Sequence, residues 1–314
     1  MSARWSSEQV PDQQGRTAIV TGANSGLGLV TARELARRGA SVILACRDLT
    51  KGAQAQRTIE AAATPGARVE LSQLDLGDLA SIASFAERFR ARVEHSTLDL
   101  LINNAGVMAP PRRETSDGFE LQLGTNHLGH FALTGRLLEL MQGLKDARVV
   151  TLSSNAHKMG RIDFEDLQHE RRYRRWNAYG QSKLANLLFA LELDRRLRAS
   201  GSAVKSLAAH PGYAATNLQY AAAPILDRLV MRVTNVVMAQ SAEDGALPIL
   251  YAATSPGLDG GTYIGPDGPG EFRGRPHLST PTRAARDEQL AERVWELSEQ
   301  LTGVSFPLQT SSAA

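Results

Sequence analysis

The sequence predicts an α/β fold: a doubly wound parallel sheet of about seven strands, in a single domain with a C-terminal extension. Three observations predict it. Short, continuous apolar runs alternate with longer segments of helical period. A glycine-rich turn joins the first such run to the first helical segment. The 314 residues are 42% hydrophobic and 22% charged, a soluble globular composition that excludes a disordered, collagen-like or coiled-coil chain.

The elements follow in order. Residues 1–15 read as a flexible lead-in. Thr17 to Thr21 is a short apolar strand. After the glycine turn, a helix over Leu27–Arg38 stops at Gly39. Ser41 to Ala45 is the second strand, and a helix over Thr50–Ala63 ends before Pro65-Gly66. Further strands fall at Arg68–Gln73, Leu98–Ile102, Arg148–Ser153 and Ala203–Ala209, with a last one at Thr262–Ile264 after two glycines. Helical patterns lie between them at Asp78–Val93, Gly118–Gln142 and Asn177–Ala199. Continuously apolar strands of this kind are covered by helices on both faces. Residues 16–265 form the main domain in this reading, and residues 266–314 the extension. Within it, residues 265–283 are rich in Gly, Pro and Arg and predict an irregular loop. Ala284–Leu301 predicts a helix packed on the body, and Gln309–Ala314 a disordered tail.

Charge and cysteine usage narrow the function. Lys plus Arg is 35 and Asp plus Glu is 33, so no basic excess points to nucleic acid. The single cysteine, Cys46, excludes an internal disulfide and fits a reducing cytoplasm. No apolar run is long enough to span a membrane, and residues 1–14 lack the apolar stretch of a signal peptide. A cytoplasmic protein without a membrane partner is expected.

The turn reads Thr21-Gly22-Ala23-Asn24-Ser25-Gly26-Leu27-Gly28. Gly22 permits a tight turn, Gly26 a close backbone approach to a pyrophosphate, and Gly28 close helix–sheet packing. Phosphates would then meet free N–H groups at the helix N-terminus. T-G-x-x-x-G-x-G is the pattern of the short-chain dehydrogenase/reductase family, and the resemblance recurs along residues 16–265. It includes Asp75-Leu76, Asn103-Asn104-Ala105-Gly106, Asn126 in a T-N-H-L-G-H-F run, and Ser153-Ser154. It continues with Tyr179-Gly180-Gln181-Ser182-Lys183 and His210-Pro211-Gly212. The asparagine run and Cys46-Arg47-Asp48 look most like the retinol-dehydrogenase-like branch, and the fold implied is Rossmann-type.

Tyr179 and Lys183 are four residues apart on a predicted helix and share one face. An ammonium about 4 Å from the phenol, at an effective dielectric near 20, attracts a phenolate by about 4 kcal/mol. That predicts a phenol well below its ordinary pKa of about 10, fit for general acid/base work. The resemblance implies a catalytic set of Asn126, Ser154, Tyr179 and Lys183. Ser154 would hold the substrate oxygen, Lys183 the nicotinamide ribose, and Asn126 a water leading to Lys183. The resemblance also implies cofactor contacts from Gly22, Asn24, Ser25, Gly26, Leu27 and Gly28. Asp75 would contact adenine and Leu76 the cofactor beside it; Asn103, Ala105 and Gly106 would pass near the adenosine and the nicotinamide ribose. Pro211, Gly212 and Thr216 would lie near the nicotinamide amide and the phosphates. Tyr179 and Lys183 belong to this set too. His127 and His130 are spaced as metal ligands could be, but no third ligand is evident and no metal is expected.

NADP is expected over NAD. An acidic residue ending the second strand would bind the ribose hydroxyls of NAD; here Cys46 is followed by Arg47, which can pair with a 2′-phosphate. Asp48 is the competing anion and Lys51 a second cation. Residues 213–240 are rich in apolar side chains and would form a lid, which suggests an apolar alcohol or carbonyl substrate. The Arg-rich run His169–Trp176 reads as a solvated segment with a docked tryptophan, or as a patch for an anionic partner. The resemblance leaves a homo-oligomer open. The alternative to an oxidoreductase is a non-catalytic NADP-binding regulator on the same fold.

Overall fold

The structure is a computed structural model that describes residues 5–91, 97–213 and 240–308. Its sheet has eight strands: β1 (Thr17–Thr21), β2 (Ser41–Cys46), β3 (Val69–Gln73), β4 (Leu100–Asn103), β5 (Arg148–Leu152), β6 (Lys205–Ala209), β7 (Tyr263–Pro266) and β8 (Pro276–Leu278). The order is β3-β2-β1-β4-β5-β6-β7-β8. All pairs are parallel except β7–β8, where Ile264 faces Leu278 in antiparallel register. The order reverses between β1 and β4, where doubly wound sheets open a ligand crevice at their carboxyl ends.

Helices α1 (Gly26–Arg37), α2 (Leu49–Glu60), α3 (Leu79–Arg90), α4 (Leu121–Leu123), α5 (Gly129–Leu137), α6 (Arg175–Ala199), α7 (Ala242–Thr254) and α8 (Glu288–Thr302) complete the fold. Local chemistry sets their ends. Asp48 caps α2 by accepting the Lys51 N–H, and Asp78 caps α3 by accepting those of Ala80 and Ser81. Asp287 caps α8, and Gly303 closes it in the left-handed region at φ 64°. Two apolar layers sandwich the sheet. One holds Val20, Leu44 and Ile102 with Leu35 of α1 and Ile249 of α7. The other holds Ile19, Leu101 and Val149 with Phe85, Phe131, Phe189 and Trp295. The alternation follows the period of two along each strand.

Four features depart from the sequence reading. The lead-in is packed rather than loose from Trp5 onward: its ring lies edge-on to Tyr251 at 5.2 Å, and Val10 and Gln13 are buried. The segment Gly118–Gln142 is not one helix, because a π turn over Gly124–Leu128 separates α4 from α5. The irregular loop after residue 265 contains β8, too short and Pro-rich to show a strand pattern. Helix α7 had no signal: it carries Gly245 and Pro248 and is buried nearly all round, so no apolar stripe marks it. The apolar stretch read as a lid and the tail at 309–314 lie outside the described residues, apart from Tyr213 and Gln240.

Candidate active site

The carboxyl ends of the central strands open on a cleft of about 360 Å³. Its nucleotide side begins at the glycine turn, where Gly22, Asn24, Ser25, Gly26, Leu27 and Gly28 all line the wall. Gly22 and Gly26 sit in the left-handed region, at φ 65° and 54°. A Cβ on Gly28 would lie 2.5 Å from both Asn104 Nδ2 and Gly22 O, so only glycine lets α1 start this close to the sheet. Ser25, the N-cap of α1, makes no side-chain bond to the first turn, whose N–H groups have no intrahelical acceptor. That cradle fits the pyrophosphate of a dinucleotide.

Beneath the turn lies Cys46. Burial pushes its thiol up to about 11, against a smaller opposing effect of the Ala23 and Asn24 backbone N–H groups. It is a packing group that orients the turn. Arg47 and Lys51 line the lip of the cleft. The Asp48 carboxylate is tied down: it accepts the Lys51 N–H at 3.0 Å and pairs with Lys51 Nζ at 3.4 Å. Those bonds hold it below the usual carboxylate range. Asp75 and Leu76 also line the cleft, with Asp75 Oδ1 accepting the Gly77 N–H at 2.9 Å.

After β4 the chain passes Ala105 and Gly106 along the cleft, but Asn103 does not reach it. The Asn103 amide is fully buried and donates to Thr134 Oγ1 at 3.0 Å. Its neighbour Asn104 is the one that lines the wall, donating from Nδ2 to Thr21 O at 2.7 Å. Asn103, the last residue of β4, turns toward α5, and Asn104, the next residue, turns toward the cleft. Val107, Met108, Leu152 and Tyr213 also line the cleft and carry no motif.

The four residues expected to be catalytic converge at the far end. Ser154, Tyr179 and Lys183 line the cleft. Asn126 is buried just behind it, its Oδ1 accepting the Val107 N–H at 2.7 Å and its Nδ2 donating to Val107 O at 3.0 Å and Ser182 Oγ at 2.9 Å. Ser153 is committed elsewhere, donating to the Lys183 carbonyl at 2.8 Å, whereas Ser154 lines the cleft together with Tyr179. Lys183 Nζ lies 5.7 Å from the Tyr179 ring centroid and donates to Leu152 O at 3.1 Å.

The electrostatics run opposite to the sequence expectation. Burial pushes the Tyr179 phenol up to about 12, against a smaller opposing effect of the Ser154 side chain. Burial likewise pulls the Lys183 ammonium down to about 8. The ammonium is oriented on the Leu152 carbonyl rather than on the phenol, so the loss of water dominates both groups.

Pro211 and Gly212 close the cleft floor, while Thr216 lies outside the described residues. The two histidines beside Asn126 diverge: His127 Nε2 meets Ser298 Oγ of α8, and His130 Nε2 meets Thr21 Oγ1, each at 2.9 Å. Among the described residues, no group of three or more His, Cys, Asp or Glu is placed to hold a metal. No helix among them is long and apolar enough to cross a membrane.

Comparison with known proteins agrees with this geometry. The short chain dehydrogenase family profile matches residues 16–224. Retinol dehydrogenase 12 of Mus musculus is 44% identical over 95% of this chain and 89% of its own. Retinol dehydrogenase 13 of Homo sapiens is 41% identical over 93% and 86%. A crystal structure of an uncharacterized protein from Mycobacterium Paratuberculosis is 47% identical, covers 98% of this chain and 100% of that one, and superposes with a TM-score of 0.80. A protein described as an NAD(P)-dependent gluconate 5-dehydrogenase from Beutenbergia cavernae, with NADP bound, is 27% identical. It has a TM-score of 0.59 and covers 77% of this chain and 91% of that one. The chain therefore belongs to the short-chain dehydrogenase/reductase family, on its retinol-dehydrogenase-like branch, and is an oxidoreductase that works with a nicotinamide dinucleotide.

Proposed function

We propose that the protein transfers a hydride between NADP(H) and an apolar alcohol or carbonyl compound, with Tyr179 as general acid/base. The observation that carries this reading is the meeting of Ser154, Tyr179 and Lys183 in the same cleft as the glycine turn. NADPH, when bound, supplies the hydride, and NADP⁺ accepts it. The chain's own groups do the rest. The Tyr179 phenol, held protonated at neutral pH by burial, donates its proton to the carbonyl oxygen as the carbon is reduced. The Ser154 hydroxyl holds that oxygen in place. Lys183 binds the nicotinamide ribose, and Asn126 braces the Val107 backbone beside them. In alcohol oxidation the same proton runs back.

NADP is favoured over NAD by what ends β2. Cys46 replaces an acid that would repel a 2′-phosphate, Arg47 and Lys51 bring two cations to the lip, and Asp48 is spent on capping α2. The apolar character of the substrate is supported by Val107, Met108 and Leu152 on the wall and by relatives named for retinol. The single buried cysteine supports a place in the cytoplasm. Absorbance of NADPH, followed with a panel of apolar aldehydes, tests the reading. Turnover should favour NADPH over NADH in the wild type, and Arg47→Leu should cut that preference by at least about tenfold, the worth of one charge-assisted pair. An unchanged preference in Arg47→Leu refutes the phosphate pairing. Binding of NADPH without turnover of any carbonyl or alcohol would favour the regulator reading.

A further inference from the structure

We propose that His130 is a positioning residue that fixes the catalytic asparagine turn against the nucleotide cradle. The proposal rests on the reading of the cleft given above and adds a residue that touches neither substrate nor cofactor.

His130 is fully buried on α5, and both ring nitrogens are engaged. Nδ1 lies 2.9 Å from the carbonyl oxygen of Asn126, in the π turn. Nε2 lies 2.9 Å from Thr21 Oγ1, at the end of β1. A carbonyl can only accept, so Nδ1 carries the hydrogen and Nε2 offers a lone pair. The Thr21 hydroxyl must then donate to Nε2. Its only proton is therefore committed, and Ile102 O, at 3.3 Å, is the poorer acceptor. The two lone pairs of the same hydroxyl receive the N–H groups of Asn104 and Ala105, each at 2.9 Å. Every donor and acceptor in this chain has one assignment.

The geometry ties three separate segments through one imidazole. The π turn holds Asn126, whose amide braces Val107. Thr21 begins the glycine turn, and Asn104-Ala105 lines the cleft opposite it. A neutral ring is required, since a second N–H would face the Thr21 hydroxyl with no lone pair free to receive it. Burial supplies that condition by pushing the imidazole down to about 3. The ring works as a fixed connector over the whole range in which the fold operates.

Two substitutions separate its two bonds. Asparagine places an amide nitrogen near the position of Nδ1 and so keeps the bond to Asn126. Glutamine reaches toward the position of Nε2 and so keeps the bond to Thr21. Direct NADPH binding, kcat and thermal unfolding are measured for wild type, His130→Asn and His130→Gln. His130→Asn should weaken NADPH binding by about tenfold with kcat largely kept. His130→Gln should lower kcat by about tenfold with NADPH binding largely kept. Thr21→Val cuts the same link from the other end and also removes the acceptor of the Asn104 and Ala105 N–H groups. The double variant with His130→Asn should bind NADPH no worse than Thr21→Val alone.

Parallel losses of binding and kcat in both His130 variants, or additive losses in the double variant, would overturn the proposal in favour of plain packing. If one His130 variant fails to fold, the other decides: weaker NADPH binding at kept kcat in His130→Asn, or lower kcat at kept binding in His130→Gln, supports the connector, and proportional loss of both, or failure of both variants to fold, overturns it. The binding measurements need no turnover. A wild type that binds NADPH but reduces no carbonyl would refute the activity, while weaker binding in His130→Asn would still uphold the link to the cradle.

Discussion

At Lys183 the chain holds a cation where water would otherwise stabilise it. Its ammonium sits at about 8 rather than 10.5 because it is buried, and it has a carbonyl rather than a carboxylate as partner. The sign of the stability effect follows. Between about pH 8 and 10.5 the unfolded chain keeps the proton and the folded one has lost it, so stability rises with pH across that window. Below it the folded state carries the full cost, on the order of 3 kcal/mol. Lys183→Met should therefore raise stability at pH 7, by about 1–3 kcal/mol in urea unfolding. The Leu152 carbonyl keeps Asn186 Nδ2 at 2.9 Å, so the change leaves no acceptor bare. The gain should shrink as pH climbs from about 8 to 10.5, and a gain constant with pH would contradict the assignment. Tyr179 acts in the opposite sense: its phenol stays protonated up to about 12, so its contribution to stability declines only as pH rises from about 10 toward 12. Such a trade of stability for chemistry is common where a site must be dry.

The glycine turn and α1 act as one element, and their contact with the turn after β4 leaves no room for a side chain. Gly28→Ala would bring Cβ to 2.5 Å from Gly22 O, a backbone atom that cannot rotate away. Moving α1 outward relieves that contact but withdraws the first-turn N–H groups from the cleft. Gly28→Ala should fold and lose NADPH binding by at least about tenfold in a fluorescence titration; undiminished binding would show that the cradle is not where the cofactor sits. Helix α8 has a different task. Trp295 is buried in a ring cluster with Phe131, Phe189 and Phe306, at centroid distances of 5.1, 5.8 and 4.4 Å. Arg196 lies over its face at 4.5 Å. Trp295→Ala should cost about 3–5 kcal/mol in urea unfolding while NADPH affinity of the folded protein stays unchanged. A small cost would mean that α8 is an appendage rather than part of the core.

Over the whole molecule, the parts legible in the sequence were those with a strong period or an ordered motif. Seven strands lie where continuous apolar runs sit between turn residues, and the glycine turn, Ser154, Tyr179 and Lys183 meet where the motif order implies. What escaped had a physical reason. Helix α7 is buried nearly all round and carries a proline, so it shows no stripe. The π turn at Asn126 shifts the helix by one residue without changing its composition. Asn103 and Asn104 are the same residue type, one ending β4 and one just past it, and only the structure shows which turns to the cleft. The direction of the Tyr179 shift needs the desolvation of the cleft, which residue spacing does not encode. The account stands on the phenol of Tyr179 as the proton donor to a bound carbonyl. The most direct test is Tyr179→Phe, measured for both NADPH binding and carbonyl reduction. The account predicts affinity within about threefold of wild type and turnover reduced by about 10²–10⁴-fold, the usual worth of a general acid. Turnover left near the wild-type rate, with the cofactor bound, would contradict it.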